Sequence, residues 1–260
     1  MSNYVNQSKA RLIDLMLFFA FFQRIIGKRW VSRWTKNYTL AEQELSILPK
    51  ILKRDSIIFD IGANRGELSF FFAVTCNFKK VFAFEPQSRM FGILGGVADN
   101  ITNIIPINTA LSDSAEKKIL KIPIKSTGQY TPAASFEQVH DNNLKKEKVE
   151  VDTLDNFVAK NNIPAVNFIK CDTEGHELSV FRGAKKTLET LRPILYIEIT
   201  NPNEHLLFDL LSHAGYRPYQ WDNLSLCFVP RIDRKNTPSE NYYFVPIEKE
   251  KKIAEALKDI

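Results

Sequence analysis

The sequence predicts an α/β fold, a mostly parallel sheet covered by helices on both faces. Three observations carry this. Short apolar runs recur along the chain and alternate with segments of helical character. The runs read as strands buried on both faces, which is what crossover helices produce. The first run leads into a glycine-containing turn, FDIGANRGE at 59–67, the punctuation expected between a strand and a helix.

The elements follow in order. Ser56–Ile61 (SIIFDI) reads as the first buried strand, and Glu67–Thr75 as a helix with Phe70, Phe71 and Val74 on its buried face. Lys80–Phe84 (KVFAF) is the second strand, stopped by Glu85-Pro86 because proline cannot continue a central strand. Met90–Asn100 is expected to be helical despite three glycines. Ile104–Asn108 and Val166–Cys171 are the third and fourth strands. A helix is expected over Leu178–Leu191, a fifth strand over Ile194–Ile199 and a helix over Glu204–Ala214. Arg217–Trp221, Leu224–Val229 and Tyr242–Ile247 are strand-like without long helices between them, which predicts an antiparallel edge.

Three segments fall outside this rhythm. Lys117–Asp152 is a long excursion with an extended stretch, a polar loop (STGQYTPAASF, 126–136), a charged patch (Asp141–Lys148) and an alternating strand. Loops this long are more often functional than short ones, and Tyr130 offers a surface for an acceptor. Leu12–Phe22 (LIDLMLFFAFF) is apolar but broken by Asp14. As a helix it reaches roughly 16 Å, too short for a bilayer core of about 30 Å. Basic residues and tryptophans follow at once (Arg24, Lys28, Arg29, Trp30, Arg33, Trp34). That pattern suits either a helix packed on the domain or a second subunit, or peripheral contact with a membrane through residues 12–34. Glu248–Ile260 reads as a charged, solvated helical tail. The expected organisation is an N-terminal helical extension over 1–50, a main domain over 51–247 and the tail over 248–260.

Composition narrows the classes. The 260 residues suffice for one substantial α/β domain, and 44% hydrophobic with 25% charged residues is ordinary for a globular protein. A net charge of +5 over 35 basic and 30 acidic residues gives no basic stripe, so no nucleic-acid partner is expected. Cys76, Cys171 and Cys227 are far apart and form no C-x-x-C pair, so neither a disulfide framework nor a zinc knuckle is supported. The expectation is a cytoplasmic protein, with the inner membrane face as the alternative that the N-terminal segment leaves open.

The glycine turn indicates a ligand. Gly62 permits a tight turn and close backbone approach, Gly66 lets helix and strand pack closely, and Asn64 is a residue type that visits positive φ. The spacing is not the G-x-G-x-x-G of a dinucleotide site. A carboxylate at Asp60 would repel a pyrophosphate and suits a cofactor with a cationic amino group, such as S-adenosylmethionine. Glu85 stands 19 residues after Gly66 at the end of the second strand, where an acid can accept hydrogen bonds from ribose hydroxyls.

DIGANRG (60–66), FEP (84–86), ALSD (110–113), VDTLD (151–155), IKCDTEGHE (169–177) and RPILYIEI (192–199) occur in this order. Together they resemble the FkbM-type family of S-adenosylmethionine-dependent methyltransferases, from about Ile57 to Tyr219. The resemblance implies a Rossmann-like class I methyltransferase sandwich with one reversed strand, and methyl transfer to oxygen, often on a sugar or polyketide hydroxyl. It assigns Asp60, Gly62, Asn64 and Gly66 to the methionine part of the cofactor and Glu85 to the ribose. Asp113 follows the third strand, where such folds meet the adenine; its alternative is a turn residue in L-S-D-S.

The acid cluster after the fourth strand lies across the expected crevice. Methyl transfer needs alignment and a base for the acceptor's proton. Asp172, His176 and Glu174 are the catalytic candidates. No resident metal is expected, though a divalent cation on Asp172, Glu174 and Glu198 is the second option. Glu177 fits a first-turn acid favoured by the helix dipole. Glu198 is an acid inside a buried strand and so demands a partner or a cleft. Rival readings fare worse. KCDTEG stands where exocyclic-amine methyltransferases carry N/D-P-P-Y/F, and none of the eight tyrosines has the lysine four residues later that a short-chain oxidoreductase needs. A non-catalytic binding domain on the same fold would be expected to lack the cofactor-side residues.

Overall fold

The computed structural model describes residues 2–40, 42–123, 134–137, 144–199, 204–221, 228–230 and 240–258. Strands β1 (Ile57–Ile61), β2 (Lys80–Phe84), β3 (Ile104–Ile107), β7 (Phe168–Cys171) and β8 (Ile194–Glu198) pair in parallel. β11 (Asn241–Pro246) runs antiparallel to both β8 and β9 (Tyr216–Trp221), and β10 (Phe228–Pro230) closes the edge against β9. The spatial order is β10-β9-β11-β8-β7-β1-β2-β3. β11 is the reversed strand, inserted between β8 and β9, and short β10 adds a third antiparallel pairing. A separate sheet, β4 (Ala110–Leu111), β6 (Leu144–Asp152) and β5 (Glu116–Pro123), is built mainly from the excursion.

Period-two alternation sorts the strand side chains between two cores. Ile58, Val81, Ala83, Phe168, Ile194, Tyr196 and Tyr243 point to one face. Ile57, Phe59, Phe82, Ile169, Leu195 and Phe244 point to the other. The second face is covered by α5 (Leu154–Lys160), α6 (Glu177–Arg182), α7 (Lys185–Thr190) and α8 (Glu204–His213). The helix expected over Leu178–Leu191 is split into α6 and α7 at Gly183, where a Cβ would lie 2.0 Å from the Ser112 carbonyl oxygen.

The first face is covered by α1 (Ser2–Asn37), α2 (Leu48–Ile51), α3 (Glu67–Phe70), α4 (Ser88–Ala98) and α9 (Glu250–Ala256). α3 continues into a π turn over Phe71–Thr75, which shifts the side-chain register. Phe72 and Ala73 are buried in consequence, and Val74, expected inside, is 46% exposed. The glycines of α4 form a helix–helix contact. A Cβ on Gly96 would meet Arg24 backbone atoms of α1, and one on Gly27 would meet the Ile93 carbonyl oxygen at 2.1 Å. Glycine costs helix propensity here, but it allows two backbones to touch. Arg24 and Lys28 pair with Asp99, and Trp34 is buried against Phe70, a side chain whose burial contributes roughly 2–3 kcal/mol. This part of α1 therefore packs on the domain. Phe19, Phe21 and Phe22, further out on the helix, are exposed. Among the described residues no helix is long and apolar enough to cross a membrane. The charged tail departs from its expected solvation: α9 docks through buried Ile253, and Leu257 follows it into the same core.

Candidate functional site

The glycine turn is fastened to the end of β2. The N–H groups of Gly62 and Ala63 donate to the Phe84 carbonyl oxygen at 3.1 and 2.9 Å. Gly62 has φ +74°, and a Cβ there would sit 1.8 Å from the backbone oxygen of Asp172. Asn64 also takes a left-handed conformation, φ +51°. Gly66, at φ +87°, leaves the space that the Leu94 side chain fills. The turn needs these residue types for its backbone path, and that path puts β1 and β7 ends in contact.

Glu85 closes the turn from the other side. Its Oε2 accepts from the Asn64 N–H and its Oε1 from the Gln87 N–H, both at 2.8 Å. Burial pushes the carboxyl up to about 7, against the opposing pull of those two donors. Glu85 lies in the wall of a cavity with Gly62, Leu111, Phe136, Asp172 and His176. Asp113 is outside that wall; Ala110 and Leu111, just before it, are inside. Its carboxylate faces the Ser112 hydroxyl at 3.1 Å and Lys118 at 3.9 Å. These hold it below the usual range, against the burial that would raise it. The turn-residue alternative describes its surroundings.

Asp60 and Lys170 are register partners on neighbouring strands and share the α1 side of the sheet. Both are buried. The Lys170 ammonium donates to the Gly62 carbonyl oxygen at 3.0 Å and lies 3.7 Å from Asp60 and 3.5 Å from Asp172. Burial alone would lower its pKa, but Asp172, Asp60 and Glu42 together hold it above the ordinary value. Asp60 accepts from Ser69 at 2.5 Å through Oδ2, while Oδ1 has no hydrogen-bond partner. Burial raises its pKa. A second cavity of about 320 Å³ opens here, walled by Glu42, Asp60, Lys170 and Tyr38, and it shares Gly62, Asn64 and Asp172 with the first.

Glu174 stands in the first cavity's wall with φ +54°; burial and then Asp172 raise its carboxyl. Glu198, at the end of β8, is pushed up to about 7 by burial and then by Asp172. Among the described residues no group of three or more His, Cys, Asp or Glu side chains is arranged to hold a metal. Glu177 does more than meet a helix dipole. Its Oε1 accepts from the Thr173 N–H and hydroxyl, both at 2.9 Å, and from the Gly175 N–H at 3.1 Å, so it shapes the turn that presents Asp172 and Glu174.

His176 is buried with both ring nitrogens engaged. Nε2 meets the Ser112 hydroxyl at 2.9 Å and Nδ1 meets Glu137 at 2.9 Å. Its ring packs edge-on to Phe136. Ser135 donates to the Glu174 carbonyl oxygen at 2.8 Å. The histidine thus braces the acid turn against the excursion. Of the polar loop 126–136, Ala134, Ser135 and Phe136 line the cavity. Tyr130 lies outside the described residues.

The sequence-predicted Gly62, Asn64, Glu85, Asp172, Glu174 and His176 come together around the first cavity, and Asp60 joins the second. Gly66 supports the turn by packing. Lys170, Glu42 and Tyr38 were not anticipated. Lys170 carried a signal: a lysine inside a buried strand demands a carboxylate, and Asp60 lay in the adjacent strand. Glu42 and Tyr38 carried none.

A Rossmann-like α/β fold is the class that this strand order, its reversed β11 and the Gly62–Glu85 turn define. Residues 60–218 match the methyltransferase FkbM domain, and the chain belongs to that family. It is 26% identical over 166 residues to the hexuronic acid methyltransferase AglP of Haloferax volcanii. That match covers 62% of this chain and 64% of the relative, so it spans less than two thirds of the relative's length. Among solved structures, a methyltransferase FkbM from Methylobacillus flagellatus KT is similar at 21% identity and a TM-score of 0.47, over 73% of this chain and 44% of that one. An rRNA methylase from Streptococcus thermophilus is similar at 15% identity and a TM-score of 0.42, over 79% of this chain and 96% of that one.

Proposed function

We propose that this protein is an S-adenosylmethionine-dependent O-methyltransferase acting on a hydroxyl of a glycan. The observation that carries the reading is the glycine turn bonded through Asn64 to buried Glu85, with Asp172 across the same cavity. The residues fit the cofactor. Gly62 lets the glycine turn run against the Asp172 backbone, where any Cβ would collide, and Asp60 offers a buried carboxylate oxygen with no hydrogen-bond donor, only the Lys170 ammonium at 3.7 Å, toward a cationic group. Glu85 would hold the ribose hydroxyls, Leu111 and Phe136 offer apolar surface to the base, and Asp60 would face the amino-acid end. When bound, the cofactor supplies an electrophilic methyl group.

The chain's own task is then to orient a hydroxyl and take its proton. Asp172 stands at the contact between the two cavities and is the residue assigned to that step. Lys170 fixes its carboxylate from below, Glu174 flanks it, and His176 holds the turn in place. The first cavity's wall carries Asp172 and Glu174, with Glu198 close to Asp172, while the cation beside them, Lys170, is buried beneath. Such a surface disfavours an acceptor carboxylate and favours a neutral sugar hydroxyl. The relative's name supports a carbohydrate acceptor, but an acidic one, so the choice between neutral and uronate glycans is left to the transfer assay. Exposed Phe19, Phe21 and Phe22 support a peripheral membrane position that would bring a lipid-linked glycan within reach.

The test is calorimetric titration of S-adenosylhomocysteine into wild type and Glu85→Ala, followed by transfer of labelled methyl groups to neutral and uronate-containing glycans. Micromolar binding lost in the variant is expected, with transfer to neutral glycans. Asp172→Asn should slow that transfer by about 10²–10⁴-fold. No binding to folded wild-type protein overturns the reading.

A further inference from the structure

We infer that Glu42, with Tyr38 beside it, belongs to the cofactor site and supplies a second carboxylate for the cofactor's α-ammonium group. The inference rests on the methyltransferase reading above. It adds residues from the N-terminal arm, outside the 60–218 stretch that matches the family.

Polar groups in the second cavity are unmet. Glu42 Oε2 and the Tyr38 hydroxyl are buried atoms without a hydrogen-bond partner, Asp60 Oδ1 has only the Lys170 ammonium at 3.7 Å, and all three residues wall the same 320 Å³ cavity. A buried polar atom left unpaired is costly, and a site that is completed by its ligand is one reason to carry several together. The cavity's charges are unbalanced too. Arg65 pairs with Glu67 at 2.6 Å in this wall, which leaves Glu42, Asp60 and Asp172 facing Lys170. Three carboxylates to one ammonium leave room for a further cation. Burial pushes Glu42 up to about 7 even with Lys170 pulling it down, as expected of an acid short of a counter-charge.

The location fits as well. The cavity contains the glycine-turn residues Asp60, Gly62 and Asn64, and it adjoins the cavity of Glu85. A cofactor with its ribose on Glu85 and its chain across the turn brings its amino-acid end here. The arm is also held in place. Tyr196 donates to the Glu44 carboxylate at 2.7 Å, Tyr243 donates to the Glu44 carbonyl oxygen at 2.9 Å, and Leu45 and Leu48 are fully buried. Tyr38 stacks on Phe71 with centroids 6.0 Å apart. Glu42 is therefore preorganised on a fixed segment.

The experiment compares two ligands on wild type and Glu42→Gln by calorimetry. S-adenosylhomocysteine carries the amino-acid end, and 5′-methylthioadenosine lacks it. The variant is expected to bind the first about 10–100-fold more weakly and the second as wild type does. It should melt within a few degrees of wild type, because the amide keeps the shape and hydrogen-bonding capacity of a carboxylate whose Oε2 has no hydrogen-bond partner. If wild type binds both ligands and the variant keeps its affinity for S-adenosylhomocysteine, the inference is overturned alone. Equal loss of both ligands by a folded variant overturns it as well. If wild type binds neither, the methyltransferase reading falls and takes this inference with it.

Discussion

The two sides of the site differ in how their polar groups are satisfied. On the Glu85 side each carboxylate oxygen already has a backbone donor, and the turn is tied to β2. On the Lys170 side one ammonium serves several acids, and buried oxygens of Glu42 and Asp60 accept no hydrogen bond. The first is a finished scaffold that orients a ligand. The second stores electrostatic tension that a cation, or a proton taken from an acceptor, can relieve. Rigidity and reactivity are thus allotted to different strand ends, β2 for one and β7 for the other.

The largest break comes where the two sides touch. Gly62→Ala places a Cβ on the Asp172 carbonyl oxygen in a left-handed conformation, and should cost about 3–5 kcal/mol in urea unfolding. Both cavities should be lost together. Lys170→Met attacks the tense side alone. It strands Asp60 and should cost about 3–4 kcal/mol at pH 8. The deficit should shrink at pH 5, where Glu42, its carboxyl pushed up to about 7, is protonated; an equal deficit at both pH values would mean that packing, not charge, is lost.

The finished side is probed more gently by Glu85→Gln. The folded Glu85 carboxyl sits at about 7 against an ordinary 4.5. The folded state therefore binds the proton more tightly, and this contribution is full below about 4.5 and lost as pH rises through about 7. Wild type without ligand should lose stability between pH 5 and pH 8. The variant should flatten that slope by on the order of 2 kcal/mol, read from unfolding midpoints at the two pH values. The smallest effect is expected at the brace. His176→Gln should cost about 1–2 kcal/mol of stability. It should slow methyl transfer less than tenfold, since both ring nitrogens are committed to Ser112 and Glu137. A loss matching that of Asp172→Asn would restore His176 as a base.

Strand positions were legible because buried runs bounded by turns have little freedom. Lys80–Phe84 matches β2 to the residue, and a mostly parallel sheet with one reversed strand follows from the family resemblance. Gly62, Asn64 and Glu85 were legible because backbone conformation dictates residue type there. What sequence concealed was tertiary. Val74 was misplaced because a π turn resets the helical register. The α4 glycines look like defects until α1 is laid across them. Glu42 has no motif at all, since its role depends on a cavity assembled from β1, β7 and the arm.

That glycine crossing has a consequence for the modularity of the chain. A helix joined to its domain by side-chain packing can be exchanged for another of similar shape. One joined at Gly27 and Gly96 cannot, because backbone is pressed against backbone and no substitution of larger residues can be accommodated on either side. The arm and the domain are therefore a matched pair, to be inherited or grafted together. A chimera that carries a foreign N-terminal segment on this domain would have to bring its own fourth helix with it.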